Sequence, residues 1–368
     1  MLLIWIFCGA MLLYTIQRSI YSNFWNKNLR LTLRFEETAV TEGEALSLLE
    51  RSENRKLLPL PVFGYRYTLN RNYASVLETG AKPVTLKRKL ALPALRAAVN
   101  RTRIEGLTRG IYTLGNVTLT GSDLFCSEKL EAPTDCYAQV TVYPARIPAE
   151  RLSLPFRQLL GAVLTRRLAQ EDPFQLKAIR PYEIYDNPRT INWKASARTG
   201  ELKVNQYEFT TDEAVAFLLD MGGGVPEARE ELLRLASSLS RLFLRRGVSV
   251  SLYANTRSCV TGYPIQVPAG ADANHQTAID ESLAQIKLST SVTETFPAFL
   301  RNLPRELRRQ ALPVVISADP DGETLRACEA ILGPAGGYFL GVDLPREGGG
   351  RANGPRVISW DPGEEAAG

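Results

Sequence analysis

The sequence predicts an N-terminal transmembrane helix, then an all-β sandwich domain, then an α/β domain built on a mostly parallel sheet. Three observations carry this. No charged side chain occurs from Met1 to Ile16. Short alternating segments without helical period fill residues 29–144. Beyond residue 211, continuous apolar runs alternate with amphipathic helical patterns. A chain of 368 residues exceeds one ordinary domain of about 100–200 residues. The boundaries drawn are 1–21 for the anchor, 28–147 for the sandwich, 150–210 for a connecting segment, 211–344 for the α/β domain and 345–368 for a mobile tail.

The anchor comes first. Residues 1–16 as a helix cover about 24 Å, and running on to Tyr21 approaches the about 30 Å of a hydrocarbon core. Arg18 can snorkel to the headgroups, while Tyr14, Tyr21, Phe24 and Trp25 suit an interfacial belt. A cleaved signal peptide fits poorly, because no Lys or Arg precedes the run and no A-x-A-like site follows it. Arg18, Lys27, Arg30 and Arg34 all follow the span, which places the soluble part in the cytoplasm. The lipid bilayer is therefore a partner through residues 1–21.

The net charge is only +5, and basic residues usually sit beside acids, so no dedicated nucleic-acid surface is indicated. Of the five cysteines, Cys126 and Cys136 could meet across a hairpin and none has zinc-like spacing, but an odd count in a reducing compartment points to free thiols.

In the β-rich part, "LRLTLRF", "VTLKRKLAL", "GIYTLGNVTLTG" and "YAQVTVYP" read as strands. Next, "FRQLLGAVLTRRLAQ" reads as a helix. "AVAFLLD" (214–220) then reads as a strand buried on both faces, and Pro226 opens a helix closed by Arg245, Arg246 and Gly247. "VSVSLYA", "LPVVISAD" (312–319) and "GGYFLGVD" (336–343) supply further strands. Residues 271–288 and "ETLRACEAIL" supply helices. The tail is rich in Gly and Pro, with "RVISW" as its one strand-like stretch.

A buried strand ending in Asp220, a small-residue turn and a helix together resemble the opening of a von Willebrand factor type A domain, a Rossmann-like α/β fold. That family's D-x-S-x-S pattern implies a divalent cation held by the Asp and two hydroxyls, hard oxygen ligands of the kind Mg²⁺ requires. Here the text is "DMGGG", so Gly222 and Gly224 stand where the serines would be. The metal site is degenerate on this reading, with Asp220 and Asp319 as its only carboxylates and no cofactor expected. Asp220 then caps the turn or helix that follows.

The connecting segment carries a second resemblance. Arg180, Tyr182, Asp186, Arg189, Ile191, Trp193, Lys194, Ala197 and Arg198 reproduce, in order and spacing, the signature of the domain-of-unknown-function 58 family, with Tyr185 where that family usually has Gly. The order of anchor, β-rich segment, motif and type A-like domain is similar too, although that family's anchor usually has two spans and one is evident here. Physically, Trp193 with Ile and Ala nearby asks for burial, and Arg or Lys stems can pack over its face. Asp186 is suited to pair with an Arg through two hydrogen bonds. The motif then reads as a latch that fixes the segment, as a basic surface for an acidic segment of a partner, or, third, as a catalytic centre.

Other enzymatic signatures are missing from the text. His275 is the single histidine and is expected to be solvated, with no matched nucleophile; no phosphate-binding G-x-x-x-x-G-K-[ST] occurs. The expectation is a non-enzymatic interaction protein. The family resemblance implies association with a MoxR-type AAA+ ATPase in assembling or maturing an envelope-linked complex. A metal-dependent adhesion module and an unrecognised hydrolase or transferase are the rivals.

Overall fold

The computed structural model describes residues 2–71, 84–169, 176–183, 191–207, 214–288, 292–304, 307, 311–318, 323–332, 337–342 and 356–362. The chain forms two compact units. One comprises residues 1–145, 258–262 and 283–289; the other comprises 146–257, 263–282 and 290–368.

In the first unit, helix α1 spans Leu2–Phe24 and is long and apolar enough to cross a membrane, a test that a signal sequence also passes. Among the described residues nine strands follow: β1 (Leu29–Phe35), β2 (Ala39–Thr41), β3 (Leu46–Asn54), β4 (Leu60–Arg71), β5 (Val84–Leu92), β6 (Ala97–Ile104), β7 (Gly110–Ser122), β8 (Lys129–Pro133) and β9 (Gln139–Tyr143). They make two sheets, ordered β1-β3-β6 and β2-β9-β7-β4-β5, with β8 paired to β7. Alternation along each strand sends Leu31, Leu33, Leu46 and Leu48 from one sheet, and Phe63, Tyr65, Leu119 and Val142 from the other, into a single core. The same period turns polar residues inward at Glu50, Ser52 and Asn54 of β3.

Tyr21 and Trp25 join this core, so the end of α1 is part of the unit. Gly121 makes room for Trp25, since a Cβ there would lie 2.6 Å from the indole ring. Lys56 Nζ donates to Trp25 O (2.7 Å) and Lys27 O (3.1 Å), satisfying carbonyls left over where α1 ends. Burial lowers the Lys56 ammonium from its ordinary 10.5 to about 8. Between these values the unfolded chain binds more protons than the folded one, so stability should rise as the pH climbs through that window. A series of urea midpoints at pH 7.5 to 10.5 should show this rise for the wild type and a flatter profile for Lys56→Met.

In the second unit, α2 (Ser153–Ala169) precedes a two-stranded hairpin of β10 (Leu176–Pro181) and β11 (Lys203–Tyr207), which flank the short helix α3 (Trp193–Thr199). A six-stranded sheet follows, ordered β14-β13-β12-β15-β16-β17. Its strands are β12 (Ala214–Leu219), β13 (Ser249–Arg257), β14 (Pro264–Gly270), β15 (Leu312–Ser317), β16 (Tyr338–Val342) and β17 (Arg356–Trp360). All pairs are parallel except β13–β14. The helices are α4 (Pro226–Leu244), α5 (His275–Ala284), α6 (Phe296–Asn302) and α7 (Glu323–Leu332). Phe217 meets Phe243 of α4, with ring centroids 6.2 Å apart, whereas its neighbour Leu218 packs with Phe299 of α6 and Leu332 of α7. Both residues are fully buried, so the sheet is covered on both faces, as the unbroken apolar runs anticipate.

The one strand-like stretch of the tail, 356–360, is the strand β17, with Ile358 and Trp360 buried and Trp360 Nε1 donating to Glu231 Oε1 at 3.1 Å. Two expectations need correction. His275 is buried rather than solvated; it opens α5, its Nε2 lies 2.6 Å from Val250 O, and its ring fills the space over Gly270. Helix α5 is also shorter than the span 271–288. Cys126 and Cys136 are both free thiols, the latter donating to Leu31 O.

Candidate functional site

Two places in the second unit gather the residues that the sequence singles out. The first lies at the carboxyl ends of the central strands. Chain continuity takes β12 to β13 on one side, while β15 lies on the other, so the end of β12 is a topological switch point, where ligands of open α/β sheets usually bind. Asp220 sits there, 2% exposed.

Its carboxylate has four donors. Oδ1 accepts from Gly222 N at 3.0 Å and from Asn255 Nδ2 at 3.3 Å. Oδ2 accepts from Ser317 Oγ and Thr324 Oγ1, each at 2.9 Å. Asn255 Oδ1 in turn accepts from Met221 N at 2.9 Å. A carboxylate offers about four lone-pair sites, so this set saturates it. Asp220 thereby caps the turn after β12; helix α4 begins at Pro226 behind Val225, which supplies no side-chain cap.

The two glycines differ from one another. Gly224 has φ of +72°, and a Cβ there would lie 2.6 Å from Ala318 O, so close approach to the end of β15 requires glycine. At Gly222 a Cβ would meet Asp220 Oδ1 at 3.3 Å. The donor set does not fit the divalent ion of a D-x-S-x-S site. One of the two serine positions admits no side chain, and the hydroxyls that do reach the carboxylate, those of Ser317 and Thr324, are spent as donors to it. Asp319 lies outside the described residues. Nearby, burial first and then the Asp220 charge push the Cys328 thiol up to about 12, which removes it as a nucleophile.

The second place is the hairpin. Helix α3 is short and strongly bounded: Asn192 Oδ1 accepts from Ala195 N at 2.9 Å, and Gly200 ends the helix with φ of 75°. Ser196 is the helix's buried residue, and its hydroxyl accepts from Lys203 N at 2.9 Å, joining α3 to β11. Tyr182 N donates to Leu202 O (2.9 Å) and Arg180 Nη1 to Pro181 O (3.1 Å). Asp186 and Arg189 lie outside the described residues. Trp193 corrects the expectation of burial. It is 66% exposed, and Lys194 and Arg198 are exposed beside it. No cation lies over the indole and no acid pairs with Lys194 or Arg198 among the described residues.

Asn255, Ser317 and Thr324 were not anticipated as partners of Asp220. The available signal was polarity at strand ends, since "VSLYAN" and "VVIS" finish apolar runs as "FLLD" does.

Residues 178–331 match the family model described as "Protein of unknown function DUF58". The match takes in the end of β10 from Ala178, the α3 motif and the Asp220 cluster. No curated protein matches the chain. Among solved structures, the CARDB domain of a Pyrococcus furiosus protein, crystallised with di-metal ions, is 12% identical; the alignment covers 32% of this chain and 94% of that one, with a TM-score of 0.22. The Pseudomonas fluorescens alkylpurine DNA glycosylase AlkC, bound to DNA with an abasic-site analogue, is 15% identical over 29% of this chain and 30% of its own, with a TM-score of 0.21. A β-glucosidase from Erythrobacter marinus is 11% identical over 31% of this chain and 15% of its own, with a TM-score of 0.20. The chain thus spans under a third of the glycosylase and under a fifth of the glucosidase. Such low scores carry no argument about fold or activity.

Proposed function

We propose that this chain is a membrane-anchored, non-enzymatic interaction protein whose type A-like α/β unit docks a partner through the exposed face of α3. The carrying observation is Trp193, 66% exposed between two short caps, with Lys194 and Arg198 one helical turn apart and without acidic partners among the described residues. Like charges at i and i+4 disfavour a helix slightly, and an exposed indole forgoes burial, so this arrangement does little for the fold. Trp and Arg are also the side chains that most often dominate binding energy at interfaces. The face suits an acidic segment, and the family resemblance points to a MoxR-type AAA+ ATPase that works with this chain on an envelope-linked complex. Helix α1 would hold the unit at the cytoplasmic face of the membrane, and the two β sheets, read as a sandwich, would act as a spacer.

The saturated state of Asp220 supports binding without metal or acid–base chemistry. A titration of a purified MoxR-type ATPase against the full chain in lipid nanodiscs provides the test. Trp193→Ala, and separately Lys194→Glu with Arg198→Glu, should each weaken binding by about tenfold or more, equivalent to about 1.4 kcal/mol, with the melting temperature unchanged. Equal affinity for wild type and both variants would refute this assignment of the face.

A further inference from the structure

The turn between β7 and β8, residues 123–128, exposes two large apolar side chains, Leu124 at 48% and Phe125 at 68%. Turn tips are ordinarily polar, and this one is rigidly built. Asp123 is buried, and its Oδ1 accepts from Ser127 N (2.6 Å) and Glu128 N (3.1 Å), while Oδ2 accepts from Ser127 Oγ (2.6 Å). The apolar pair is therefore held outward by a closed hydrogen-bonded loop.

That loop is tied to α1 within the same unit. Tyr14 OH donates to Ser127 Oγ (3.0 Å), Gln17 Nε2 to Asp123 Oδ2 (3.3 Å) and Arg18 Nε to Glu128 Oε2 (2.9 Å), and the Tyr14 and Phe125 rings lie 6.1 Å apart. The order matters. Phe125 is level with Tyr14, nearer the apolar end of the helix, and the Arg18–Glu128 pair lies a turn further from that end. This is the sequence of side chains expected across a bilayer boundary, with aromatics at the interface and charges on the watery side.

The apolar surface of α1 continues past the contact with the loop. Ile16, Ile20 and Phe24 remain exposed beyond Tyr14, so a bilayer boundary that takes up this stretch of the helix meets the loop bound to it.

We propose that Leu124 and Phe125 are a second membrane contact, inserted into the bilayer boundary beside α1, so that helix and loop together set the depth and tilt of the first unit. This rests on the reading of α1 as a membrane anchor. The occupant is lipid, because the exposed apolar tip is continuous with the exposed apolar surface of the helix itself.

The test uses the full chain in vesicles of phosphatidylcholine and phosphatidylglycerol, with Cys8, Cys126, Cys136 and Cys259 replaced by serine and a nitroxide placed in turn at Phe125→Cys, Leu12→Cys and Leu57→Cys. Leu57 is an exposed reference on the same unit. Oxygen should collide with the label at 125 several-fold more than a water-soluble nickel chelate does, as at 12, whereas 57 should favour nickel. If 125 resembles 57 while 12 reads lipid, the anchor stands and the loop contact is refuted. Shielding of 125 from both reagents would mean that protein covers it, which also overturns the proposal. Nickel access at 12 would remove the anchor and the loop contact together.

Discussion

Exchanging Asp220 for alanine is expected to destabilise the second unit by about 3–5 kcal/mol, the range for leaving a buried, charge-assisted network without one partner. Four donors lose their acceptor at once: Gly222 N, Asn255 Nδ2, Ser317 Oγ and Thr324 Oγ1. They come from the β12 turn, β13, β15 and α7, so the loss loosens the carboxyl ends of the three central strands together. Asp220→Asn should cost less, because one carbonyl oxygen survives, but its amide would face hydroxyl and amide donors. Urea denaturation combined with hydrogen exchange in β12 and β15 would read both variants. A cost below about 1 kcal/mol, the net worth of one ordinary hydrogen bond, would show that the cluster does not hold the strand ends. The same experiment carries a metal arm. A cation held at a hundred times its dissociation constant stabilises by about 2.7 kcal/mol, so wild-type protein whose midpoint is unmoved by Mg²⁺ or Mn²⁺ fits a carboxylate already saturated by protein donors. A rise of several degrees in melting temperature would restore the metal-dependent reading.

The strands of the α/β unit were legible because burial on both faces leaves an unbroken apolar signal. Ala214 to Asp220 anticipates β12, and Leu312 to Asp319 anticipates β15, within two residues. The partners of Asp220 were not legible, because each is one ordinary polar residue whose meaning depends on strand order. Asn255 and Ser317 are far apart in the chain and meet Asp220 only because β13 and β15 flank β12. Trp193 shows the opposite failure. Its size argued for burial, but a helix bounded by Asn192 and Gly200 offers one narrow inward face, and Ser196 occupies it through its bonds to Asn192 O and Lys203 N. The strand Arg356–Trp360 was legible within a Gly- and Pro-rich tail because Ile358 and Trp360 carry the period of two. His275 was misjudged because the polar text around it describes a helix start, not the ring's reach to Val250 O.

Glu50→Ala is expected to cost the first unit a comparable amount, about 3–5 kcal/mol, for a reason equally invisible in the text. Glu50 looks like one more polar residue on the alternating strand β3, yet its register turns it inward, and its side chain is 2% exposed. Tyr67 OH donates to Oε1 at 2.6 Å and Thr102 Oγ1 at 3.0 Å; Tyr65 OH and Arg88 Nε reach Oε2, each at 2.7 Å. These partners stand on β4, β5 and β6, so one carboxylate links the two sheets. Burial, reinforced by the hydrogen bonds to Glu50, raises both phenols above their ordinary value of 10, and the pair should stay protonated through the usual alkaline range. The network can be separated from simple volume loss. Replacing Glu50 with leucine and both tyrosines with phenylalanine removes the acceptor and its two phenol donors together, and apolar replacement of a buried network is often close to neutral. Of the two donors left, Arg88, one-third exposed, can turn to water, and Thr102 is only half-buried. The triple variant should therefore recover most of the stability that Glu50→Ala loses, as read by urea midpoints followed through Trp25 fluorescence. If the triple variant is as unstable as the single one, the cost lies in packing rather than in stranded donors, and the sheets are held by their apolar core alone.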